Sequence, residues 1–231
     1  MRYAVYTATR NYYADTIPSM KSLLMHTHVD RVFFLIEDDV FPFPLPDCVE
    51  VKNVKNQHWF RHDGPNFKSL WTWAVLMRAA FTKILTVDKV LNLDADVIIE
   101  DDISELWDID MSDYYIAGAT EVNKRGFDQP YINFGVCMMN LGKLRDGTDD
   151  RIICDLNNNY RFANEQDSFN LMCGRKLVIP STYNACAYTT PCKNPKVIHF
   201  AGIGEMFPWS RKRWQDAPIV QKYRSLDWEV K

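Results

Sequence analysis

The chain has 231 residues, 47% of them hydrophobic and 25% charged, and a formal charge of −3 from 27 basic and 30 acidic side chains. That length can bury a core within one domain, and the intermixed charges exclude a whole-surface attraction to nucleic acid. No apolar run is long enough to span a bilayer, and the opening MRYAVYTATR lacks a secretory leader pattern, so a cytoplasmic protein is expected.

The first segment, RYAVYTA, alternates and is rich in β-branched and aromatic residues, which predicts a strand. DTIPSMKSLLMH predicts a helix with Asp15 as its N-cap and Pro18 early. RVFFLIED is a continuous apolar run, as in a strand buried on both faces, whereas the alternating prolines of VFPFPLPD force a loop. VEVKNV reads as a short strand, and NFKSLWTWAVLMRAAFTKIL as the longest helix. KVLNLD is a strand, ISELWD a helical turn, and DYYIAGATE and INFGVCMMNL are strands. TDDRIICDLNNNY and NEQDSFNLMCG are helical, the second capped by Gly174. KLVIP and KVIHF are strands, and PWSRKRWQDAPIVQKYRSL is a helical tail interrupted by Pro218.

Strand and helix alternate over the first half, so the expected fold is an α/β sandwich with a mixed, mainly parallel sheet flanked by helices. The chain shows no internal repeat or low-complexity linker, so residues 1–231 form a single expected domain, with a core to about 209 and a tail from 210. The cysteines at 48, 137, 154, 173, 186 and 192 lack metal-ligand spacing. They are expected to be free thiols in a reducing compartment.

The stretch KVLNLDADVIIE carries the chemistry. If the strand continues, Asp94 and Asp96 point to one side while Ala95 points away. Two carboxylates about 4 Å apart repel by roughly 4 kcal/mol at an effective dielectric near 20, so water, a shared proton or a cation must offset them. A solvated turn is the plain alternative, but the flanking KVLNL and VII are too apolar for a surface loop. Ligands of open α/β sheets gather beyond the carboxyl ends of strands, and a divalent metal with oxygen ligands fits there. His199 ends another apolar strand, and Gly202 follows. A histidine of that kind is commonly a core residue, but with two acids it would complete an O/N site suited to Mn²⁺.

Taken in order, KVLNLDADVIIEDDISELWD, YINFGVCMMNL, NEQDSFN and VIHFAG…PW resemble the retaining glycosyltransferases of family eight, over nearly the whole chain. The resemblance implies the GT-A fold, a UDP-hexose donor, a hydroxyl acceptor of unknown kind, and Mn²⁺ or Mg²⁺. It implies that Asp94, Asp96 and His199 ligate the metal, with Ala95 beside them. It also implies that Thr7, Ala8, Thr9, Asn11 and Tyr12 line the nucleotide and that Arg78 reaches the diphosphate. Asn133 would meet the donor sugar, with Gly135 permitting close approach. Glu165 would bind sugar hydroxyls, Gln166 would lie at the reacting carbon, and Asp167 would orient them. Gly202 belongs to the same donor-binding set.

Two departures stand out. Thr9 occupies a position where many members carry an acid that reads uracil. HFAGIGEMFPW is longer than the family's H-x-G-x-x-K-P-W and has Phe207 where a lysine would touch the diphosphate. Arg211, Lys212 or Arg213 could substitute, although a solvated helix start explains them equally. Because glutamine is a poor nucleophile, Gln166 favours front-face substitution over a covalent carboxylate intermediate.

The sequence leaves alternatives open. A sugar nucleotidyltransferase would need a Gly-rich phosphate loop, and YTATRNYYAD has no glycine. A catalytically dead sugar-nucleotide or glycan-binding module is the other. The segment WSRKRWQD is a candidate for weak peripheral contact with the inner membrane surface. The oligomeric state and the acceptor are not encoded in any motif, although NQHWFRHDGPN and EVNKRGFDQPY are candidate acceptor loops.

Overall fold

The computed structural model describes residues 1–69, 72–122, 126–127, 130–202 and 213–228. Its chain order begins with β1 (Tyr3–Thr7), α1 (Tyr13–His26), β2 (Arg31–Ile36) and β3 (Val49–Asn53). A 3₁₀ helix at Trp73–Ala80 leads into α2 (Phe81–Ile84), then β4 (Lys89–Leu93), β5 (Val97–Ile99), β6 (Ile116–Thr120) and β7 (Ile132–Asn140). Next come α3 (Leu141–Leu144), α4 (Thr148–Asn158), α5 (Asn164–Met172), β8 (Lys176–Val178), β9 (Val197–His199) and α6 (Pro218–Ser225).

Seven strands form one sheet in the order β3-β2-β1-β4-β7-β6-β8, and β5 and β9 form a separate antiparallel pair. Pairing is parallel from β3 through β4 and between β6 and β8, and antiparallel where β7 meets β4 and β6. This is the expected mixed, mainly parallel α/β sheet.

The apolar strands read as continuous runs because both faces are covered. Ala4, Tyr6, Phe34 and Leu91 face α1 through Met20 and Leu23, while Val5, Phe33, Leu35 and Val90 face Met77, Ile152 and Phe169. Period-two alternation thus persists inside an unbroken apolar string, with each parity feeding a different half of the core.

Several sequence expectations give way to tertiary packing. Asp15 is not the N-cap of α1; it lies inside the first turn and accepts bonds from Gln215 (2.7 Å) and Arg224 (3.0 Å). The long helix expected from residue 66 is confined to Trp73–Ile84, mostly with 3₁₀ geometry. Asn66 explains part of this. Its amide is buried and bonds the Leu156 and Asn159 carbonyls, so the segment is tied to the end of α4 instead of to a helical neighbour. Gly174 does not cap α5: Cys173 leaves the helix in an extended conformation, and the described glycines with positive φ are Gly126, Gly147 and Gly202. Pro218 does not interrupt a helix but starts α6, where its missing N–H costs nothing. The tail packs back on α1, with Lys21 donating to the Arg224 carbonyl at 3.4 Å. No described helix is long and apolar enough to cross a membrane.

Candidate active site

Asp94 and Asp96 do not lie on a strand. β4 ends at Leu93 and β5 starts at Val97, so residues 94–96 form a turn where the chain passes from the large sheet to the small one. The two acids converge because that turn is fixed at both ends. The Asp94 N–H donates to the Gly135 carbonyl at 2.9 Å, and the Asp96 carbonyl accepts from Phe200 N–H at 2.9 Å. The second bond belongs to the β5–β9 pairing, which sets His199 opposite Val97. Sheet switching therefore brings residues 94 and 199 together across more than a hundred positions of chain.

His199 Nε2 lies 3.5 Å from Asp94 Oδ2 and 3.5 Å from Asp96 Oδ1. One ligand atom from each of the three residues lies within 4.8 Å of the others. Two carboxylate oxygens and an imidazole nitrogen suit a hard or borderline divalent cation such as Mg²⁺ or Mn²⁺. Arg78 forms a charge-assisted bond to Asp94 Oδ1 and another to Glu165 Oε1 at 2.7 Å.

Electrostatics follow from this crowding. Burial pushes the Asp94 carboxyl up, but the positive charge of Arg78 and the bond from His199 outweigh it and hold Asp94 at about 2. Burial opposes a charge on His199, yet its bonds to Asp94 and Asp96 raise it well above the ordinary imidazole range. Glu165 behaves differently: burial dominates, Arg78 only partly offsets it, and its carboxyl is pushed up to about 7.

Buried atoms without a protein partner gather in this region. Glu165 Oε2, Arg78 Nε, Asn164 Oδ1 and Thr7 Oγ1 are all unpaired in the described structure. An orphaned buried polar atom is costly unless something completes it, and here the orphans include both donors and acceptors. Asn164 also adopts φ 45°, a left-handed conformation uncommon for a residue with a side chain. It turns the chain into α5, so that Glu165 can face Arg78.

The nucleotide-side candidates line the carboxyl end of β1. The parallel register pairs Val5 with Asn92, which places Thr7 beside the exit of β4 toward Asp94. Ala8 and Thr9 are buried, Asn11 is exposed, Tyr12 is half-buried, and Ala95 is half-buried in the turn. Gly202 has φ 93° and lies against the Tyr188 hydroxyl.

Asn133, Gln166 and Asp167 belong to one polar network. Gln166 Oε1 accepts from Phe134 N–H at 2.8 Å, and its amide donates to Glu121 Oε1 and the Tyr131 hydroxyl, both at 3.0 Å. Asp167 is buried with both oxygens engaged, by the Tyr131 hydroxyl at 2.5 Å and the Ala163 N–H at 3.0 Å. Asn133 is also buried, its amide donating to Glu121 Oε1 at 2.7 Å. Glu121, Tyr131 and Asn184 are prominent members of this network to which the sequence reading assigns no individual role, although Tyr131 opens the motif YINFGVCMMNL. Glu121 sits at the edge of a candidate acceptor loop, and Asn184 lies in STYNAC, a segment with neither periodicity nor charge.

Phe207, Pro208, Trp209, Arg211 and Lys212 lie outside the described residues, whereas Arg213 is exposed. Trp214, from the segment considered for membrane contact, is fully buried against Phe200 with ring centroids 5.2 Å apart. All six cysteines are free thiols.

Fold and site together define an α/β sheet that carries an Asp-x-Asp–His group able to hold a metal ion. The glycosyl transferase family 8 model matches residues 4–213, and the chain belongs to that family. GlyF, a glycosyltransferase of Streptococcus pneumoniae serotype 4 (strain TIGR4), is 25% identical over 99% of this chain and 63% of its own length. LARGE1 of Danio rerio, a xylosyl- and glucuronyltransferase, is 27% identical over 62% of this chain and 22% of its own length. The chain thus spans less than two thirds of these curated relatives. Among solved structures, the galactosyltransferase LgtC in complex with donor and acceptor sugar analogs superposes with a TM-score of 0.68 and 19% identity, covering 97% of both chains. GlyE of S. pneumoniae TIGR4 superposes with a TM-score of 0.70 and 19% identity, covering 98% of this chain and 61% of that one. These likenesses establish the GT-A fold.

Proposed function

We propose that the chain transfers a hexose from a UDP-sugar to a hydroxyl of a glycan, a lipid-linked sugar or a protein, with retention at the anomeric carbon. The observation that carries this reading is the convergence of Asp94, Asp96 and His199 at the carboxyl end of the sheet, beside buried polar atoms that lack partners. Asp94, Asp96 and His199 would hold Mn²⁺ or Mg²⁺. Bound there, the cation supplies Lewis-acid stabilisation of charge on the departing diphosphate.

The chain's own residues have separate tasks. Arg78, whose Nε is unpaired, adds a fixed positive charge beside Asp94. In a site shielded from water such a charge acts strongly on a developing anion. Glu165 Oε2, Asn164 Oδ1 and Thr7 Oγ1 are buried without partners, and a small side-chain rotation would offer them to sugar and ribose hydroxyls. Thr9, with a hydroxyl in place of an acid, can hydrogen-bond a base but selects uracil less strictly. Gln166 is held at both ends of its carboxamide, so it can position the sugar without moving.

The residue expected at the reacting carbon and its neighbour are poor covalent nucleophiles. Gln166 is an amide, and both oxygens of Asp167 are committed. The reading is therefore front-face substitution, in which a phosphate oxygen of the leaving UDP takes the proton of the attacking hydroxyl. A glycosyl adduct on Asp167 or Glu165, trapped and found by mass spectrometry, would refute that step.

The function is tested by incubating the purified chain with UDP-glucose, UDP-galactose and their N-acetyl forms plus Mn²⁺. Released UDP and anomeric configuration are then followed by NMR. Turnover of at least one donor, lost on chelation, is expected. Binding without turnover of any donor would favour the catalytically weak module, and pyrophosphorolysis would favour the nucleotidyltransferase.

A further inference from the structure

The polar network behind the metal group has a direction. Glu121 Oε1 receives the Asn133 amide at 2.7 Å, so the Asn133 carbonyl points the other way. That carbonyl accepts from the Gly135 N–H at 2.9 Å and from the Asn184 amide at 2.8 Å. The Asn184 carbonyl is left facing His199 Nδ1 at 2.8 Å. A carboxylate only accepts and a backbone N–H only donates, so each amide in the series has one satisfied orientation. Flipping Asn133 would set its amino group against the Gly135 N–H. Flipping Asn184 would oppose its carbonyl to that of Asn133.

Backbone pairing holds Asn184 in place. The Ala185 N–H donates to the Val197 carbonyl at 2.9 Å, and the His199 N–H donates to the Ala185 carbonyl at 3.0 Å. Thr189 closes the following turn onto the Asn184 carbonyl of the main chain at 2.8 Å. Asn184 is wholly buried, while Asn133 and Glu121 are 4% and 7% exposed, so water does not compete for these bonds.

We infer that Asn184, oriented through Asn133 by Glu121, is a positioning residue that keeps the proton of His199 on Nδ1. Nε2, the nitrogen 3.5 Å from each acid, is thereby left to offer its lone pair to a cation. Glu121 Oε1 also receives Gln166 Nε2 at 3.0 Å, so one carboxylate fixes both the metal histidine and the residue expected at the sugar. The inference rests on the metal-site reading proposed above.

Two measurements test it. In the metal-free chain, at a pH high enough to leave His199 neutral, long-range ¹H–¹⁵N NMR should show the one remaining ring proton on His199 Nδ1, protected from exchange. That signal should be lost in Asn184→Ala. Calorimetric titration with Mn²⁺, without donor, should show affinity about 10- to 100-fold weaker in Asn184→Ala than in the parent. A Glu121→Leu variant should weaken it in the same direction. An unprotonated Nδ1 in the parent would overturn the inference, as would unchanged Mn²⁺ affinity in a folded Asn184→Ala. If the substituted chain does not fold, the parent's NMR signal still decides the orientation. Should the parent show the protected proton but bind no Mn²⁺, the metal-site reading falls while the hydrogen-bond assignment stands.

Discussion

A side chain on Gly135 would occupy the space that His199 fills: a Cβ there would come within 2.8 Å of Cε1, Nδ1 and Nε2 of the imidazole. The glycine serves neither a turn nor a positive φ. It is needed because the histidine of β9 lies directly against the backbone of β7, at the point where Asp94 N–H bonds the Gly135 carbonyl. Gly135→Ala is expected to push the ring away from the two acids and to lower Mn²⁺ affinity by at least tenfold, the scale seen when metal-ligand geometry is disturbed. Calorimetry checks this; a variant with parental affinity would mean that His199 does not ligate.

Glu165 sets a pH dependence of stability. Its folded carboxyl is pushed up to about 7, from an ordinary 4.5. The folded state therefore keeps a proton that the unfolded state has released between those values, and stability falls as pH rises through that window. Stabilisation from this group is complete below about 4.5 and gone above about 7, a difference of roughly 3–4 kcal/mol at about 1.4 kcal/mol per unit. Urea melts of Glu165→Gln between pH 4.5 and 8 should show a shallower decline than the parent. Parallel declines would remove Glu165 as the cause.

Asn66 ties the segment before the 3₁₀ helix to α4. Its amide bonds the Leu156 and Asn159 carbonyls at 2.6 and 2.8 Å, and its carbonyl accepts from Arg161 N–H at 2.8 Å. Asn66 is only 1% exposed, and Asn66→Ala would orphan the buried Leu156 carbonyl and leave two part-buried main-chain groups to water, at a cost of about 1–3 kcal/mol. Chemical denaturation measures it. A loss below about 0.5 kcal/mol would show that water replaces the side chain.

The parts of this molecule that were legible in sequence are those written in local pattern. RVFFLI and INFGVCMMN declare buried strands by composition, and Asp94 was correctly placed at a strand's end. The convergence of Asp94 and Asp96 was expected from strand alternation, yet a sheet-switching turn produces it, because the pairing of β5 with β9 is a long-range event. The segment around Asn66 has helical periodicity, but its side chain finds α4 carbonyls instead. Asn184 was illegible for a similar reason. An amide has no spacing signature, and its role comes wholly from the backbone pairing of Ala185 with β9.

The most direct measurement is UDP binding by calorimetry to the parent chain and to Asp96→Asn, each with and without Mn²⁺. The account predicts that Mn²⁺ strengthens UDP binding to the parent at least tenfold and has no effect on the variant. Equal enhancement of the two by Mn²⁺ would contradict it, because the cation would then be held somewhere other than between Asp94, Asp96 and His199.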